Sequence, residues 1–539
     1  MRTKTLYSLA IAATVAALAP DVHAQVSQPT LNAISAPGKV ETRLGTLEYK
    51  DGVPTPATVQ KVYDNIDLMH AVDVYLNAFA GVSTYAAREG FRSIGVEDNQ
   101  VVIFPRLMDA KSLFLTANAD TVYFLGFLDL TKGPMVLETP PDSLGTLDDM
   151  WFNWIIDFGL PGPDRGKGGK YLILPPGYDG PVPEGGFYVA RSRTTGVLVL
   201  GRSFLEKNDP KPPVELIQRT YKAYPYASGG VGTSIAEILT GKVKPGREVA
   251  PPPVRFVDGS DKSFNTIPPS DFGFYEMLNK LVQEEPVNAL GDVERMGQLA
   301  SIGIVRGKPF QPDARMRRIL TEAAAIGQAT SRAIVYRPRE SEGFVLYPGS
   351  MWLNPLWVGG YTMETPPPMV TKEGVVPFPP TGARTLNART AMFYYATGIT
   401  PAMIMRLPDV GSQYLMAMYD ADKNDFDGAK TYKVTLPPNI PAAKFWSFTV
   451  YDNQTRSMLD TPQRYPRAGS QTYPSPAAVP NADGSTTIYF GPRLPAGVQP
   501  GNWIQTVPGK GWNTILRLYS PLEPFFLKTW RPSEIELVK

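Results

Sequence analysis

Carboxylate and amide side chains cluster beside aromatic residues at two places in the first third of the chain. The first cluster is Asn118-Ala119-Asp120-Thr121, which stands just before an aromatic run that contains Tyr123. The second is Asp148-Asp149-Met150-Trp151-Phe152-Asn153. Paired carboxylates can serve as the acid and the base of a hydrolase, and carboxylate oxygens bind calcium or magnesium. Asp and Asn also gather at strand ends because they form turns, so a purely structural interpretation stays open.

The candidate residues for a carboxylate site follow from these two clusters. Asp120 and Asp149 are the candidate catalytic residues. Their polar and aromatic neighbours are the candidate substrate-binding residues: Asn118, Tyr123, Trp151 and Asn153. Calcium or magnesium is a candidate cofactor, and the spacing alone names no definite metal ligands.

A single histidine, His70, could act as a general base. The chain has two histidines, one of them in the leader, and no cysteine, which excludes thiol nucleophiles and multi-histidine zinc sites. Asp73 and Asn77 follow at three and seven residues, so all three fall on one side of a helix. They form either a solvent-facing strip or a satisfied hydrogen-bond set, or else Asp73 orients His70 beside a cavity. Arg106 joins the candidate catalytic residues, whose convergence in one pocket would favour an enzyme.

The N-terminus has the three-part pattern of a secretory signal. Arg2 and Lys4 precede an apolar run over residues 9–18, and Val22-His23-Ala24 marks a cleavage site. The apolar run is too short to span a bilayer. We therefore expect residues 1–24 to be removed as a signal peptide and the mature protein to be periplasmic or secreted.

The charge balance limits the kinds of partner. Removal of the leader takes away Arg2, Lys4 and Asp21, so that 53 basic and 51 acidic residues become 51 and 50. A nearly neutral chain has no basic surplus with which to neutralise many phosphates, which predicts no nucleic-acid partner. No second long apolar run follows, which predicts no integral membrane segment after cleavage. A small-molecule or glycan ligand is the partner that we expect.

A long helix must position His70. Apolar residues recur at helical spacing over residues 58–88, which predicts a helix that is buried on most sides. Between residues 101 and 200, short β-branched and aromatic runs alternate with turn residues and predict strands. With a further helix at about 214–221, this pattern predicts an α+β domain over residues 25–250.

Two proline clusters mark the borders of the middle of the chain. Ala250-Pro251-Pro252-Pro253 and Pro366-Pro367-Pro368 bracket a connecting segment, residues 251–385, that is predicted to be mainly helical. Asp313 is placed to cap one of its helices. Strands and turns dominate the remainder, so residues 386–539 are predicted to form an antiparallel β-sandwich.

Several motifs resemble those of a two-domain bacterial family. The N-terminal motifs are similar to domain of unknown function 1254: Asn118-Ala119-Asp120-Thr121-Val122-Tyr123, Phe127-Leu128-Asp129-Leu130 and Asp149-Met150-Trp151-Phe152-Asn153. The C-terminal motifs are similar to its usual partner, domain of unknown function 1214: Phe445-Trp446-Ser447-Phe448-Thr449-Val450-Tyr451-Asp452, Arg464-Tyr465, Asn481-Ala482-Asp483-Gly484-Ser485, Asn502-Trp503 and Leu516-Arg517-Leu518-Tyr519. The resemblance implies an α+β first domain and a second domain similar to the jelly roll of glycoamidases that act on N-glycans. It assigns no catalytic residue.

Together these observations predict an exported hydrolase that acts on a small or glycan-like envelope substrate through carboxylate and amide residues. The alternative is a non-catalytic envelope module whose jelly roll binds a glycan or a protein through exposed aromatic residues such as Trp446, Trp503 and Trp512. A shallow aromatic strip on the second domain would favour this binding module, and a pocket that gathers the candidate catalytic residues would favour the enzyme.

Overall fold

The computed structural model describes residues 26–226, 239–240, 251–286, 293–363, 369–371, 374–376, 385–404 and 407–539. The predicted signal peptide and the proline cluster at 366–368 lie outside these ranges. By its internal contacts the chain divides into two units, one that ends at Ile66 and one that runs from Asp67 to Lys539. The predicted domain borders near residues 250 and 385 both fall within the second unit, and the three-part division stays a prediction.

The first unit holds a short helix and a small antiparallel sheet. Helix α1 covers Gln28–Ile34 and is capped by Ser27, whose Oγ accepts a hydrogen bond from the amide of Thr30 at 3.4 Å. The strands are β1 (Lys39–Thr42), β2 (Gly45–Lys50) and β3 (Val53–Pro54), paired in that order.

Helix α2, Pro56–Ser93, contains the apolar stripe that predicted a helix over residues 58–88. Proline suits the first position of a helix because no amide donor is needed there. From Ala71 onward most of the apolar side chains are almost fully buried, as expected of a helix that is apolar on most sides. A Cβ atom at Gly81 would lie 2.3 Å from the indole ring of Trp151, so the backbone and the ring are in direct contact. This part of α2 therefore lies inside the core.

Two main sheets follow α2 along the chain. Their strands and the neighbouring elements are β4 (Val101–Ile103), β5 (Ser112–Leu113), β6 (Thr121–Asp129), β7 (Met135–Glu138), β8 (Ser143–Asp149), β9 (Trp154–Gly159), β10 (Lys170–Leu174), β11 (Tyr188–Arg191), β12 (Gly196–Phe204), α3 (Lys211–Thr220), β13 (Lys222–Pro225), β14 (Phe256–Asp258) and β15 (Phe264–Asn265). The six-stranded sheet has the order β14-β4-β6-β12-β8-β9, and the four-stranded sheet has the order β11-β10-β7-β13. Within the larger sheet, β14 and β4 are parallel and the other neighbours are antiparallel.

Helices dominate the middle of the chain. They are α4 (Gly273–Glu284), α5 (Val293–Ser301), α6 (Ala314–Tyr336), α7 (Leu356–Gly359), α8 (Leu386–Tyr395) and α9 (Pro401–Ile404), with a 3-10 turn at Glu340–Glu342 and the strand pair β16 (Met369–Thr371) and β17 (Gly374–Val376). The predicted cap Asp313 is confirmed, because its Oδ1 accepts a hydrogen bond from the amide of Met316 at 2.7 Å. Helix α6 buries Leu320 and Ala323 on the side that faces the core.

Two four-stranded sheets form most of the C-terminal region. The elements are β18 (Ser412–Ala417), β19 (Tyr432–Leu436), β20 (Ala442–Asp452), β21 (Arg467–Gly469), β22 (Thr486–Gly491), a 3-10 turn at Pro500–Asn502, β23 (Trp503–Gln505), β24 (Trp512–Pro521), α10 (Glu523–Phe526) and β25 (Glu536–Leu537). The sheet orders are β18-β24-β20-β21 and β23-β22-β19-β25. The ring of Phe490 on β22 lies 5.1 Å from that of Trp512 on β24 and 5.6 Å from that of Phe448 on β20. Aromatic side chains therefore connect the two sheets.

Trp446 and Trp512 are buried, which corrects the expectation that they belong to an exposed aromatic strip. Trp446 is 7% exposed and Trp512 is 0% exposed. The indole of Trp512 stacks on Phe426, with 4.1 Å between ring centres, in addition to its contact with Phe490. The large indole ring of Trp512 fills the space between the two sheets, and its burial removes much apolar surface from water.

One hydrophobic core connects these elements of the second unit. Its fully buried residues run from Ala71 in α2 to Ile535 near the C-terminus in one contiguous cluster. The chain combines α and β structure, with a helical segment in the middle and sheets in the C-terminal region, and this much of the predicted fold is confirmed. Among the described residues, no helix is both long and apolar enough to cross a membrane.

Candidate functional site

A cavity of about 90 Å³ lies where the six-stranded sheet, the chain after α8 and the C-terminal sheet that contains β24 meet. Most of its lining is apolar and includes Leu144, Leu200, Leu356, Met392, Met416 and Ile515. A few polar side chains share the lining: Asn118, Tyr123, Arg202, Tyr414 and Arg517. An apolar pocket with a small number of placed polar groups is typical of small-molecule sites.

Arg202 reaches the cavity from β12. This strand lies between β6 and β8, and the register places Arg202 opposite Tyr123 on one side and Leu144 on the other. Residues directly opposite one another on neighbouring strands share a face of the sheet, so these three side chains line the cavity together. The Nη2 atom of Arg202 donates a hydrogen bond to Oγ of Ser412 at 3.0 Å. The guanidinium thus bridges the first sheet and β18.

Arg517 approaches the same cavity from β24. The register places it opposite Tyr414 of β18 and Ser447 of β20. Arg517 is 3% exposed, and its Nη2 donates to the carbonyl oxygen of Thr116 at 2.7 Å, whereas Nε and Nη1 have no hydrogen-bond partner. The guanidinium carbon lies 5.8 Å from the ring centre of Tyr414 and 5.6 Å from that of Tyr451. Contacts with aromatic rings stabilise the positive charge of the guanidinium. They do not supply hydrogen-bond acceptors for its N–H groups.

Asn118 and Tyr123, two of the predicted substrate-binding residues, line this cavity. The Nδ2 atom of Asn118 donates to the hydroxyl of Tyr123 at 2.7 Å, and its Oδ1 accepts from the amide of Asp120 at 3.0 Å. Burial raises the pKa of Tyr123, so its hydroxyl keeps the proton. Both side chains are held in place by protein contacts, which is what a preorganised binding site requires.

Asp120 lies behind the cavity wall in a buried ion pair. Its Oδ1 accepts a hydrogen bond from Nε of Arg467 at 2.8 Å, and neither side chain is exposed. Its Oδ2 accepts hydrogen bonds from the hydroxyls of Ser447 at 2.6 Å and Tyr519 at 3.0 Å. Three donors, one from each of β20, β21 and β24, therefore engage a carboxylate that immediately precedes β6. The arrangement joins the first sheet to the C-terminal region.

Asp149, Trp151 and Asn153 lie together in the turn between β8 and β9. The Oδ1 atom of Asp149 accepts hydrogen bonds from the amides of Trp151 at 2.8 Å and Asn153 at 2.9 Å, and Nδ2 of Asn153 donates to Oδ2 at 2.9 Å. Burial raises the pKa of Asp149, and the hydrogen bonds from Asn153 oppose that effect. These contacts are those of a turn-forming aspartate, and the three residues do not line the cavity.

His70 and Asp73 do not form a hydrogen-bonded pair. The Oδ1 atom of Asp73 accepts from Nδ2 of Asn77 at 2.8 Å, and the backbone oxygen of Asn77 accepts from Nη1 of Arg389 at 2.7 Å. The Nδ1 atom of His70 is buried and has no hydrogen-bond partner. Asp73 and Asn77 therefore belong to a local hydrogen-bond set on this side of the helix, and Nδ1 of His70 is not part of it.

Arg106 belongs to a surface network of ion pairs. Its Nε donates to Asp261 at 3.0 Å, and Nη2 lies 3.4 Å from a carboxylate oxygen of Asp258. The side chain is 52% exposed. The five candidate catalytic residues therefore have separate surroundings, and the structure does not gather them in one pocket: His70, Asp73, Arg106, Asp120 and Asp149.

Two buried carboxyl groups hold the segment that forms one wall of the cavity. The Oδ2 atom of Asp148 accepts from the amide of Ile399 at 2.8 Å, and Oδ2 of Asp157 accepts from the hydroxyl of Thr400 at 2.8 Å. Ile399 and Thr400 both line the cavity. Burial raises the pKa of Asp148 well above its ordinary value and raises that of Asp157 to about 6. The position of this wall therefore depends on two groups that hold protons more tightly than usual.

Sequence reasoning missed Arg202, Tyr414 and Arg517. A signal was present, because each arginine interrupts a strand that is otherwise nearly free of charge: Gly-Val-Leu-Val-Leu-Gly-Arg-Ser-Phe in β12 and Trp-Asn-Thr-Ile-Leu-Arg-Leu-Tyr-Ser-Pro in β24. Arginine is rarely buried unless it has a partner or a task.

The described part of the chain contains no cluster of three or more His, Asp or Glu side chains that could hold a metal ion.

Comparison with known proteins identifies two regions. Residues 99–225 match the family described as protein of unknown function (DUF1254), and residues 411–523 match protein of unknown function (DUF1214). Comparison with curated proteins gave no match. These polar lining residues fall in the two matched regions, since Asn118, Tyr123 and Arg202 lie in the first and Tyr414 and Arg517 in the second.

Two solved structures are similar to the chain at low sequence identity. The VPA0106 protein from Vibrio parahaemolyticus is 17% identical, with a TM-score of 0.48, and the match covers 88% of this chain and 100% of that one. An uncharacterised protein from Burkholderia cenocepacia is 12% identical, with a TM-score of 0.37, and the match covers 90% of this chain and 97% of that one. The two matched regions confirm the predicted resemblance to the two-domain family in which a DUF1254 region precedes a DUF1214 region.

Proposed function

We propose that this protein binds a small molecule in the cavity between its DUF1254 and DUF1214 regions. The observation that carries the proposal is the lining, in which an almost fully buried arginine with unpartnered N–H groups stands among apolar side chains. Buried polar groups are normally satisfied by a partner, and exceptions indicate a role. A cavity formed by two regions of the chain can also be closed or opened by small shifts between them.

Catalysis by the carboxylates, as in the predicted hydrolase, has weaker support. All the oxygens of Asp120 and Asp149 accept hydrogen bonds from protein donors. A general acid or base must reach the bond that reacts, and neither carboxylate lines the cavity. We therefore place binding ahead of hydrolysis for this site.

We also propose that the protein is exported and that its C-terminal region has the jelly-roll architecture. The leader pattern at residues 1–24 supports a periplasmic or secreted protein. The two four-stranded sheets joined by Phe490 and Trp512 support a sandwich of the jelly-roll type for the C-terminal region. On this view the protein meets its ligand outside the inner membrane.

A thermal-shift screen tests the binding proposal. The purified protein is mixed with small neutral, anionic and cationic organic molecules, and Tm is measured for each, since a ligand that binds only the folded state raises Tm. The matched variant is Ala396→Phe, because Ala396 lines the cavity and a phenyl group there would fill it. Ala329→Phe makes the same chemical change at an exposed position of α6.

The proposal requires at least one compound to raise Tm of the wild type and of Ala329→Phe but not of Ala396→Phe. Circular dichroism spectra of the three proteins must agree, so that the loss of binding is not a loss of fold. Compounds that shift all three proteins equally would bind elsewhere, and that result would remove this cavity as the functional site.

A further inference from the structure

The polar end of the cavity carries a surplus of positive charge. Arg202 and Arg517 line this end, and a third guanidinium, that of Arg467, pairs with Asp120 behind the cavity wall. Among the described residues, the carboxylate that pairs with one of them is Asp120, which is bound to Arg467. The three positive charges are therefore accompanied by one negative charge, that of Asp120. A buried charge without a counterion costs considerable free energy, so an arrangement of this kind calls for an anion.

The tyrosines at this end do not supply the missing negative charge. Burial raises the pKa of Tyr123, and it raises that of Tyr519 well above its ordinary value. Burial also raises the pKa of Tyr451 to about 12. These phenols therefore stay protonated near neutral pH, and they offer hydroxyl groups rather than charge.

The donors that remain at Arg517 are unpartnered. Its Nη2 is bound to the carbonyl oxygen of Thr116, while Nε and Nη1 are buried without a hydrogen bond. Arg202 faces the same cavity from the opposite sheet, and its Nη2 is bound to Ser412. Two guanidinium groups on opposite walls can hold one anionic group between them by charge-assisted hydrogen bonds.

Away from these arginines the lining changes to leucine, methionine and isoleucine. Such a wall favours an apolar body and disfavours a second charged or strongly hydrated group. Methionine side chains adapt to the shape of the group that they contact. At about 90 Å³ the cavity is smaller than a 150 Å³ cavity that takes up benzene, so a body of about four carbons is the size expected.

We infer that the ligand is a small organic acid, whose carboxylate lies between Arg202 and Arg517 and whose short apolar body fills the remainder of the cavity. The inference rests on the proposed function. A carboxylate presents two acceptor oxygens, which suits the few free donors better than the three acceptor oxygens of a phosphate group.

The test compares four compounds that each have a four-carbon chain and differ in the head group: butanoate, 1-butanol, butylamine and butyl phosphate. Their dissociation constants for the purified protein are measured by ligand-observed NMR titration. Butanoate is expected to bind more tightly than the other three. Arg517→Met and Arg202→Met are each expected to weaken butanoate on the order of 100-fold, because a buried charged partner is lost, and to change 1-butanol by less than about threefold.

Two further variants control this series. Arg517→Lys keeps the charge and is expected to recover part of the affinity for butanoate. Arg464→Met removes an arginine that pairs with Asp109 and Asp261 away from the cavity, and it is expected to leave all four compounds unchanged. If one of the cavity variants fails to fold, the other still tests the inference, because the two arginines lie on different sheets.

The results distinguish a failure of the organic-acid assignment from a failure of the proposed small-molecule binding. Equal binding of 1-butanol and butanoate that Ala396→Phe abolishes would keep the cavity as a binding site and overturn its assignment to an acid. Butanoate binding that survives both arginine substitutions, tighter binding of butyl phosphate, or no binding of butanoate would also overturn the assignment. The broader thermal-shift screen would then decide whether the cavity binds any small molecule.

Discussion

Replacing Asp120 with asparagine is expected to lower the free energy of unfolding by about 3–5 kcal/mol, which is the usual cost of removing one partner from a buried ion pair. Asparagine keeps the size and shape of the side chain, so the loss reflects charge rather than packing. The guanidinium of Arg467 has no exposure, and its Nε atom would lose the carboxylate oxygen that now lies at 2.8 Å. The hydroxyls of Ser447 and Tyr519 would lose a charged acceptor at the same time.

Urea unfolding followed by circular dichroism and tryptophan fluorescence measures this cost. The matched control is Asp179→Asn at an exposed position, which is expected to change the free energy of unfolding by less than about 0.5 kcal/mol. A double-mutant cycle with Arg467→Met should show strong coupling, because the second substitution removes the cation that the first leaves unpaired.

A free energy of unfolding for Asp120→Asn within about 1 kcal/mol of the wild type would refute this reasoning. The same variant also bears on catalysis. If it were as stable as the wild type and yet lost a hydrolytic activity of the wild type, Asp120 would be a catalytic residue, and the structural interpretation of the ion pair would be wrong.

Three further predictions concern pH, packing and helix capping. Burial raises the pKa of Asp157 from 3.8 to about 6, so the folded state binds the proton more tightly than the unfolded state, and stability falls as pH rises from about 4 through about 6. Asp157→Asn should therefore gain up to about 3 kcal/mol over the wild type at pH 7 and less at pH 4.5, and an equal difference at both values in urea unfolding would contradict this. Gly81→Ala should cost about 2–3 kcal/mol because its Cβ would meet Trp151 at 2.3 Å, whereas Gly297→Ala, with no atom within 4 Å of its Cβ, should gain up to about 1 kcal/mol; similar values for the two would refute the contact. Asp313→Ala should cost about 1 kcal/mol through loss of the cap, and Asp313→Ser should cost much less in the same measurement.

Patterns of neighbouring residues predict the helices, caps and strands that short-range interactions determine. The spacing of apolar residues predicted a helix over residues 58–88, and the structure has one at Pro56–Ser93. The sequence predicts Asp313 as a cap because the hydrogen bond of a cap reaches only three residues ahead. The mainly helical middle and the strands that follow it also came from periodicity and turn residues.

Contacts between distant parts of the chain could not be predicted in this way. The sequence predicts Asp120 as a catalytic residue because it clusters with amide and aromatic side chains, and its ion pair with Arg467 is not predictable because the two residues are 347 positions apart. Arg202 and Arg517 were missed for the same reason, since only the strand registers place them beside Tyr123 and Tyr414. Asn118 and Tyr123 line the cavity, whereas the sequence predicts them as parts of a carboxylate site.

The ion pair of Asp120 and Arg467 also sets an order of events during protein synthesis. The ribosome makes the carboxylate first and must add 347 more residues before the guanidinium exists. Until then the start of β6, an inner strand of the first sheet, carries a charge that the sheet cannot pair, which disfavours its final packing as a separate body. The chain is therefore expected to complete its fold only when both family regions are present.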